Sequence, residues 1–217
     1  YIDSELNVPF LRHLVEELLP DIRSRFGADT TFSICGHSSG GFGALNAASL
    51  HPDLFPRVAS FAGDMHFTLT HMDMVRDFTS DLRRGNFGPN LASCLKMKAT
   101  PYVLGLCAAY SPRLSNRKWK VDFPVNPESG EFDAAVWAKW LSHDPVEWAA
   151  KRVRKLARLQ RILLSAGDAD QFGLHLGAAT FAHRLKNLGV TCELEIFANN
   201  HSLLHRQLES ALVGLLC

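Results

Sequence analysis

Apolar positions recur along the chain with two periodicities, one typical of helices and one typical of strands. Apolar residues spaced three and four apart predict helices, and short apolar or alternating runs between turn residues predict strands. The predicted helices lie at 6–26, 41–51, 174–188 and 201–216, and the predicted strands at 31–35, 57–61, 161–166 and 191–197. Strands that alternate with helices indicate a mostly parallel sheet flanked by helices, an α/β fold.

The middle of the chain departs from this alternation and predicts an insertion. Helical pieces at 71–84, 133–141 and 145–158 surround a loop-rich stretch, 110–132, that contains prolines and charges. We therefore predict a core formed by residues 1–64 and 159–217, and a cap or insertion over 65–158. A chain of 217 residues is long enough for one domain, or one domain with a lid.

Two strands carry specific expectations for burial. In strand 191–197, Cys192, Leu194 and Ile196 alternate with glutamates, which predicts one buried face. Cys35 and Cys192 are expected to be small buried hydrophobes.

The segment Gly36-His37-Ser38-Ser39-Gly40 lies between a predicted strand and a predicted helix. Strand, G-x-S-x-G and helix together are typical of a nucleophile elbow, a sharp turn that exposes a serine hydroxyl above a sheet. The glycines allow strand and helix to approach closely around that serine. The competing interpretation is a glycine-rich loop that binds phosphate or only turns. On the elbow interpretation, Ser38 attacks acyl carbonyls.

A serine nucleophile needs a base for its proton and an acid to orient that base. Such groups emerge on loops at the carboxyl ends of parallel strands. Asp170 follows strand 161–166 and His201 follows strand 191–197. The order serine, acid, histidine is that of α/β-hydrolases. We therefore predict Ser38, Asp170 and His201 as a catalytic triad.

Other residues compete for these roles. Asp168 also follows strand 161–166, although an aspartate there is often a turn or cap residue. The chain has ten histidines, and most lie on predicted helices or helix ends. The histidines weighed against His201 are His37, His51, His175, His183 and His205.

The tetrahedral intermediate of acyl transfer needs two N–H donors for its oxyanion. The backbone N–H of Ser39, directly after the nucleophile, is the first predicted donor. The second normally comes from a loop after an earlier strand, and we predict no such strand ahead of residue 31.

Composition narrows the classes of partner. A net charge of +1, from 23 basic and 22 acidic residues, gives no electrostatic reason to expect a nucleic-acid partner. No stretch approaches the roughly 20 apolar residues of a membrane span. Five cysteines without C-x-x-C spacing predict no zinc site, and triad chemistry needs no metal or cofactor. The sequence shows no signal peptide, which slightly favours a cytoplasmic location. The compartment itself is left open.

Several stretches together resemble a known family. They are Glu17-Leu18-Leu19-Pro20, Gly36 to Leu45 (GHSSGGFGAL), His51 to Phe55 (HPDLF), Gly167 to Phe172 (GDADQF) and Asn200-His201-Ser202. The chain is similar to the esterase branch of the α/β-hydrolases, which includes S-formylglutathione hydrolase (esterase D), feruloyl and enterochelin esterases and mycobacterial mycolyltransferases. The resemblance implies an α/β-hydrolase-type fold and places the triad acid on Asp170, the base on His201 and the nucleophile on Ser38.

The chain departs from this family at two places. The family more often has methionine at the position of Ser39, where only the backbone N–H is needed. Family members also carry several strands ahead of the first helix seen here, so the N-terminal strands of the fold are expected to be lacking. Strand 31–35 would then present an open edge. The missing strands are expected either to belong to a second chain that completes the sheet there or to have been removed from or left out of this chain. The alternative is that a second copy of this chain pairs along the same edge.

Three functions remain open from the residues alone. The first is a serine carboxylic-ester hydrolase that acts through an acyl-enzyme on a small-molecule or acyl ester. The second is an acyltransferase with the same triad, and the third is a non-catalytic binding domain that keeps the elbow. Aromatic residues are expected either to line the substrate pocket or to form the insertion's own core. These residues are Phe67, Trp119, Phe123, Trp137 and Trp140.

Overall fold

Helices and strands alternate through most of the chain. The computed structural model describes residues 2–83, 99–114, 119–202 and 205–216. Its elements are α1 Phe10–Arg12, a π-helical stretch His13–Leu18, α2 Leu19–Phe26, β1 Ser33–His37, α3 Ser39–Leu50, β2 Arg57–Phe61, α4 Phe67–Thr70, α5 Met72–Arg83, α6 Thr100–Tyr110, α7 Ala134–Leu141, α8 Pro145–Trp148, α9 Val153–Leu156, β3 Arg161–Gly167, α10 Leu174–Asn187, β4 Glu193–Phe197 and α11 His205–Leu216. No helix in these ranges is long and apolar enough to cross a bilayer.

The chain divides into two compact units. The first unit is Tyr1–Ile2, Phe10–Thr70 and Asp144–Cys217, and the second is Asp3–Pro9 and His71–His143. The sheet lies entirely in the first unit. The division at 64/65 and 158/159 stays a prediction.

The four strands form one parallel sheet in the order β1-β2-β3-β4. The register pairs Cys35 with Ala59, Ala59 with Leu163 and Leu163 with Glu193. The predicted α/β class and mostly parallel sheet are confirmed. β1 forms one edge of this described sheet, and the pairing of a second chain or copy along it stays a prediction.

Both faces of the two central strands are buried because successive side chains point to opposite sides. One face packs Val58, Ile162 and Leu164 against apolar residues of α3 and α10, and the other packs Ala59, Phe61 and Leu163 against α11. The sheet is therefore held between helices on both sides, and its strand ends are fixed in space.

The edge strands bury less than their patterns predict. Leu194 and Ile196 in β4 are 40% and 43% exposed, so the prediction of a buried face there is wrong. Cys35, in β1, is exposed rather than buried, and Cys192 is half-buried. Alternation selects a face, but only a covering element removes that face from water. Cys94 and Cys217 lie outside the described residues.

The predicted helix 145–158 is two short helices, α8 and α9. The chain leaves helical geometry at Arg152, where φ is −106° and ψ is 9°. The guanidinium there stacks 4.2 Å from the Trp148 ring and donates to Asn46 Oδ1 and Ser49 Oγ, each at 2.8 Å. These contacts fasten α8 and α9 to α3, and a continuous helix does not form.

The predicted helix 6–26 begins only at Phe10 and changes its hydrogen bonding ahead of Pro20. Pro20 has no N–H to donate to the carbonyl four residues earlier. The N–H of Leu19 donates instead to Leu14 O, the i→i−5 bond of a π-helix. Gly27, at φ 109°, ends α2. Residue 84, the end of the predicted helix 71–84, lies outside the described residues.

The side chain of Asp144 links α8 to the segment that follows β2 through hydrogen bonds. Its buried carboxylate accepts the N–H groups of His66 (2.9 Å), Phe67 (2.6 Å) and Val146 (2.9 Å).

Asp144→Ala leaves these donors without their acceptor, so we expect the free energy of unfolding to fall by about 3 kcal/mol in urea denaturation. Asp53→Ala, which removes only a surface ion pair with Arg158, is the control and should change it by under about 1 kcal/mol. Equal midpoints for wild type and Asp144→Ala would contradict the prediction.

Candidate active site

A predicted site residue follows three of the four strands, and all three residues lie at the same edge of the sheet. Ser38 follows β1 directly, Asp170 lies three residues past the end of β3 and His201 lies four residues past the end of β4. Because all strands run parallel, their carboxyl ends meet at one edge. The structure brings these three side chains together there.

The backbone at Ser38 is strained into a position that few side chains adopt. Its φ of 57° and ψ of −128° are unusual for a residue other than glycine. The N–H of Ser38 donates to Phe61 O at 2.8 Å, and α3 begins at the next residue. A Cβ on Gly36 would lie 2.2 Å from Gly40 O, so only glycine allows strand and helix this close. The segment therefore has the sharp strand-to-helix turn that the sequence predicts, and its role as a nucleophile elbow stays a prediction.

The His201 ring lies between the other two side chains. Its Nε2 is 3.0 Å from Ser38 Oγ, and its Nδ1 is 2.8 Å from Asp170 Oδ2. A neutral ring with its proton on Nδ1 donates to Asp170 and accepts from the Ser38 hydroxyl. The Phe172 ring packs edge-on, with centroids 4.9 Å apart, and the His201 N–H donates to Gln171 Oε1 at 3.3 Å. The ring is held by contacts on several sides.

Asp170, rather than its competitor Asp168, contacts the histidine. Asp170 is 5% exposed, and its Oδ1 accepts the N–H of Phe172 at 2.8 Å. Asp168 is exposed and accepts the N–H of Asn199 at 3.2 Å, so it closes the loop that carries His201. Both oxygens of the Asp170 carboxylate therefore have partners.

The competing histidines lie elsewhere, except for one. His175 and His183 are on α10, His51 ends α3, and His205 begins α11. His37 lies next to Ser38, and its Nε2–H donates to the backbone oxygen of His201 at 2.8 Å. Its ring centroid is 4.8 Å from that of His201. His37 was considered only as an alternative base, and its contact with His201 was not predicted, because no sequence signal joins residues 164 positions apart.

Asp64 also lies at this edge of the sheet, and the sequence patterns did not predict it as a site residue. It lies three residues past the end of β2, the same spacing as Asp170 past β3, and this spacing was the available signal. It is 7% exposed. Burial raises the pKa of Asp64 to about 6, the charge of His201 acts to lower it and the charge of Asp170 acts to raise it. Asp64 is therefore a fourth titratable side chain at this edge of the sheet.

Ser39 is the first residue of α3, where the N–H groups have no acceptor within the helix. This position suits an oxyanion donor, and the role stays a prediction. In the described part of the chain, no group of three or more His, Cys, Asp or Glu side chains is arranged to hold a metal ion.

The aromatic residues named from the sequence divide between the two units. In the second unit, the Trp137 and Trp140 rings pack 5.5 Å apart and are buried, whereas Trp119 and Phe123 line a cavity of about 340 Å³. In the first unit, Phe67 packs 5.8 Å from Phe42. Core packing accounts for Phe67, Trp137 and Trp140.

The buried carboxylate of Asp64 has a cost that a denaturation experiment measures. Since its folded-state pKa of about 6 exceeds the ordinary value of 3.8, the group stabilises the fold only when protonated, and this stabilisation is lost as pH rises through 6. We expect Asp64→Asn to raise the free energy of unfolding by on the order of 3 kcal/mol at pH 8. The difference should shrink as pH falls through 6 toward 4. A difference that stays constant across this range would show that charge burial is not its cause.

Comparisons with known proteins identify the family of the chain. The family model described as "Putative esterase" matches residues 5–202. No curated protein sequence is similar to the chain at a significant level.

Three solved structures illustrate the structural similarity. A ferulic acid esterase has a TM-score of 0.57 at 17% identity, over 99% of this chain and 63% of its own. Mycobacterium tuberculosis MPT51 (FbpC1) has a TM-score of 0.57 at 16% identity, over 93% and 66%. The S-formylglutathione hydrolase FrmB of Staphylococcus aureus has a TM-score of 0.56 at 12% identity, over 99% and 67%. The chain thus spans about two thirds of the length of these structures and shares their α/β-hydrolase-type fold.

Proposed function

Since the chain belongs to the esterase family whose model it matches, we propose that it is a serine carboxylic-ester hydrolase that works through an acyl-enzyme on Ser38. One observation carries the proposal. Ser38 Oγ, the His201 ring and the Asp170 carboxylate form a continuous hydrogen-bonded chain of 3.0 Å and 2.8 Å. This is the arrangement that activates a hydroxyl as a nucleophile at neutral pH.

Acylation begins when Ser38 Oγ attacks the ester carbonyl carbon. The hydroxyl proton passes to His201 Nε2, which lies within hydrogen-bond reach. Asp170 keeps the other ring proton on Nδ1 and stabilises the imidazolium that forms. The Ser39 N–H binds the oxyanion. The intermediate then collapses, the alcohol takes the proton from Nε2 and leaves, and the acyl group stays on Ser38.

Deacylation repeats these steps with water as the nucleophile. His201 removes a proton from water, the hydroxide oxygen bonds to the acyl carbon, and the Ser38 oxygen leaves with the returned proton. The products are the free acid and the original enzyme.

Two measurements on the full protein test this function. A fluorophosphonate probe should label wild type and fail on Ser38→Ala, because the reaction requires the activated hydroxyl. Hydrolysis of p-nitrophenyl acetate should fall by about 10⁴-fold in Ser38→Ala and in His201→Ala. Ser24→Ala removes an exposed serine of α2 and is the matched control, with unchanged labelling and turnover. Absence of both labelling and turnover in wild type would reject the esterase function.

His37 is proposed as a positioning residue for this reaction, since it holds the backbone of His201. His37→Phe keeps a ring beside His201 and removes the N–H donor. We expect kcat to fall by about 10- to 100-fold with KM nearly unchanged, because the base is displaced while ester binding is not. His37→Gln can restore the donor and should recover most of kcat. Equal kcat values for the Phe and Gln variants would rule out a role for the hydrogen bond.

A further inference from the structure

The turn that carries Asp64 is anchored where it leaves β2. The N–H of Ala62 donates to Ser165 O at 2.7 Å, and Ala62 itself has a positive φ of 44°. A Cβ on Gly63 would lie 2.9 Å from the carbonyl carbon of Gly41, in the first turn of α3. The backbone just before Asp64 therefore packs directly against the elbow.

The turn is equally anchored after Asp64. A Cβ on Gly177 would lie 2.2 Å from Met65 O, so α10 contacts the turn at that point. The N–H of His66, whose φ is 61°, donates to the buried carboxylate of Asp144. Asp64 is thus held rigidly between two anchored stretches, and strained backbone of this kind is typical of functional sites.

Asp64 and Asp170 differ in how their charges are satisfied. Asp170 accepts hydrogen bonds from His201 and from the N–H of Phe172. Asp64 makes no hydrogen bond or ion pair within the ranges that the structure describes, although it is 7% exposed. Its electrostatic partners there are the charges of His201 and Asp170. Burying a carboxylate costs stability, and such groups are common at functional sites.

Building on the hydrolase function proposed above, we propose that Asp64 is an auxiliary carboxylate that stabilises the imidazolium of His201 through space during acyl transfer. When the Ser38 proton moves to Nε2 and Oγ bonds to the acyl carbon, the ring gains one positive charge. Asp170 stabilises this positive charge through a hydrogen bond. Asp64 stabilises it with a second negative charge and neither gains nor loses a proton. Asp64 acts through His201, so it is a positioning residue.

This role makes the contribution of Asp64 depend on pH. Burial raises the pKa of Asp64 to about 6, so the carboxylate is charged at pH 8 and protonated below pH 5. The other titratable groups around the turn are His66 on the turn itself, Asp144 at its backbone, His37 at the end of β1 and His175 in the first turn of α10. Of the described residues, His201 and Asp170 are the ones whose charges act on Asp64.

The first test compares kcat and KM for p-nitrophenyl acetate from pH 5 to pH 9 in wild type, Asp64→Asn and Asp53→Asn. We expect Asp64→Asn to lower kcat about 10-fold at pH 8 with KM nearly unchanged. The two profiles should converge toward pH 5, where wild-type Asp64 is neutral. Asp53→Asn removes a surface charge and should follow wild type throughout. An unchanged kcat in Asp64→Asn, or a loss that is the same at every pH, would overturn the proposal.

The second test needs no turnover, because electrostatic coupling is reciprocal. The ¹³C signal of the Asp64 carboxyl group, assigned by its loss in Asp64→Asn, is titrated in wild type, His201→Gln and His183→Gln. The pKa of Asp64 should rise in His201→Gln, because the charge that lowers it is gone. His183→Gln, which changes an exposed histidine of α10, should leave it unchanged.

These measurements separate the two proposals. Fluorophosphonate labelling and turnover that depend on Ser38, without coupling between residues 64 and 201, would leave the esterase function standing and reject the role of Asp64. Coupling in a protein that neither reacts with the probe nor hydrolyses esters would reject the esterase function, and with it the role of Asp64 in acyl transfer.

Discussion

The parallel pairing of four strands is the constraint on which the site depends. It places all carboxyl ends at one edge, so residues more than 160 positions apart in sequence, such as Ser38 and His201, meet within hydrogen-bond distance. Helices on both faces bury the central strands and fix those ends. A slip of register in β1 or β4 would move the loop that follows it and separate the hydroxyl from the imidazole.

The site is assembled at a cost to stability. Ser38, Ala62 and His66 are the non-glycine residues with positive φ in the described part of the chain, and all lie at the carboxyl ends of β1 and β2. Asp64 adds a buried charge in the same region. Hydrogen bonds from the backbone of this region, to Phe61 O, Ser165 O and Asp144, hold the strained geometry in place. Rigidity here keeps the imidazole aligned with the hydroxyl.

Much of the fold was predictable because its signals are local. Four strands and the elbow follow from apolar runs, glycines and turn residues within a few positions of one another. The failures concern coverage by distant elements. β4 shows clean alternation, yet Leu194 and Ile196 are exposed, and the helix predicted over 145–158 is interrupted because Arg152 reaches across to α3.

By itself, the sequence determined where the chain turns sharply from strand to helix at Ser38 and which loops follow the strands, since steric effects of glycine and the order of elements act within short stretches. The tertiary structure decided that Asp170 and not Asp168 contacts His201, that His37 holds the backbone of that histidine, and that Asp64 is buried at the same edge of the sheet. Burial and electrostatic energies depend on distances between residues remote in the chain, and only the packed strands and helices set those distances.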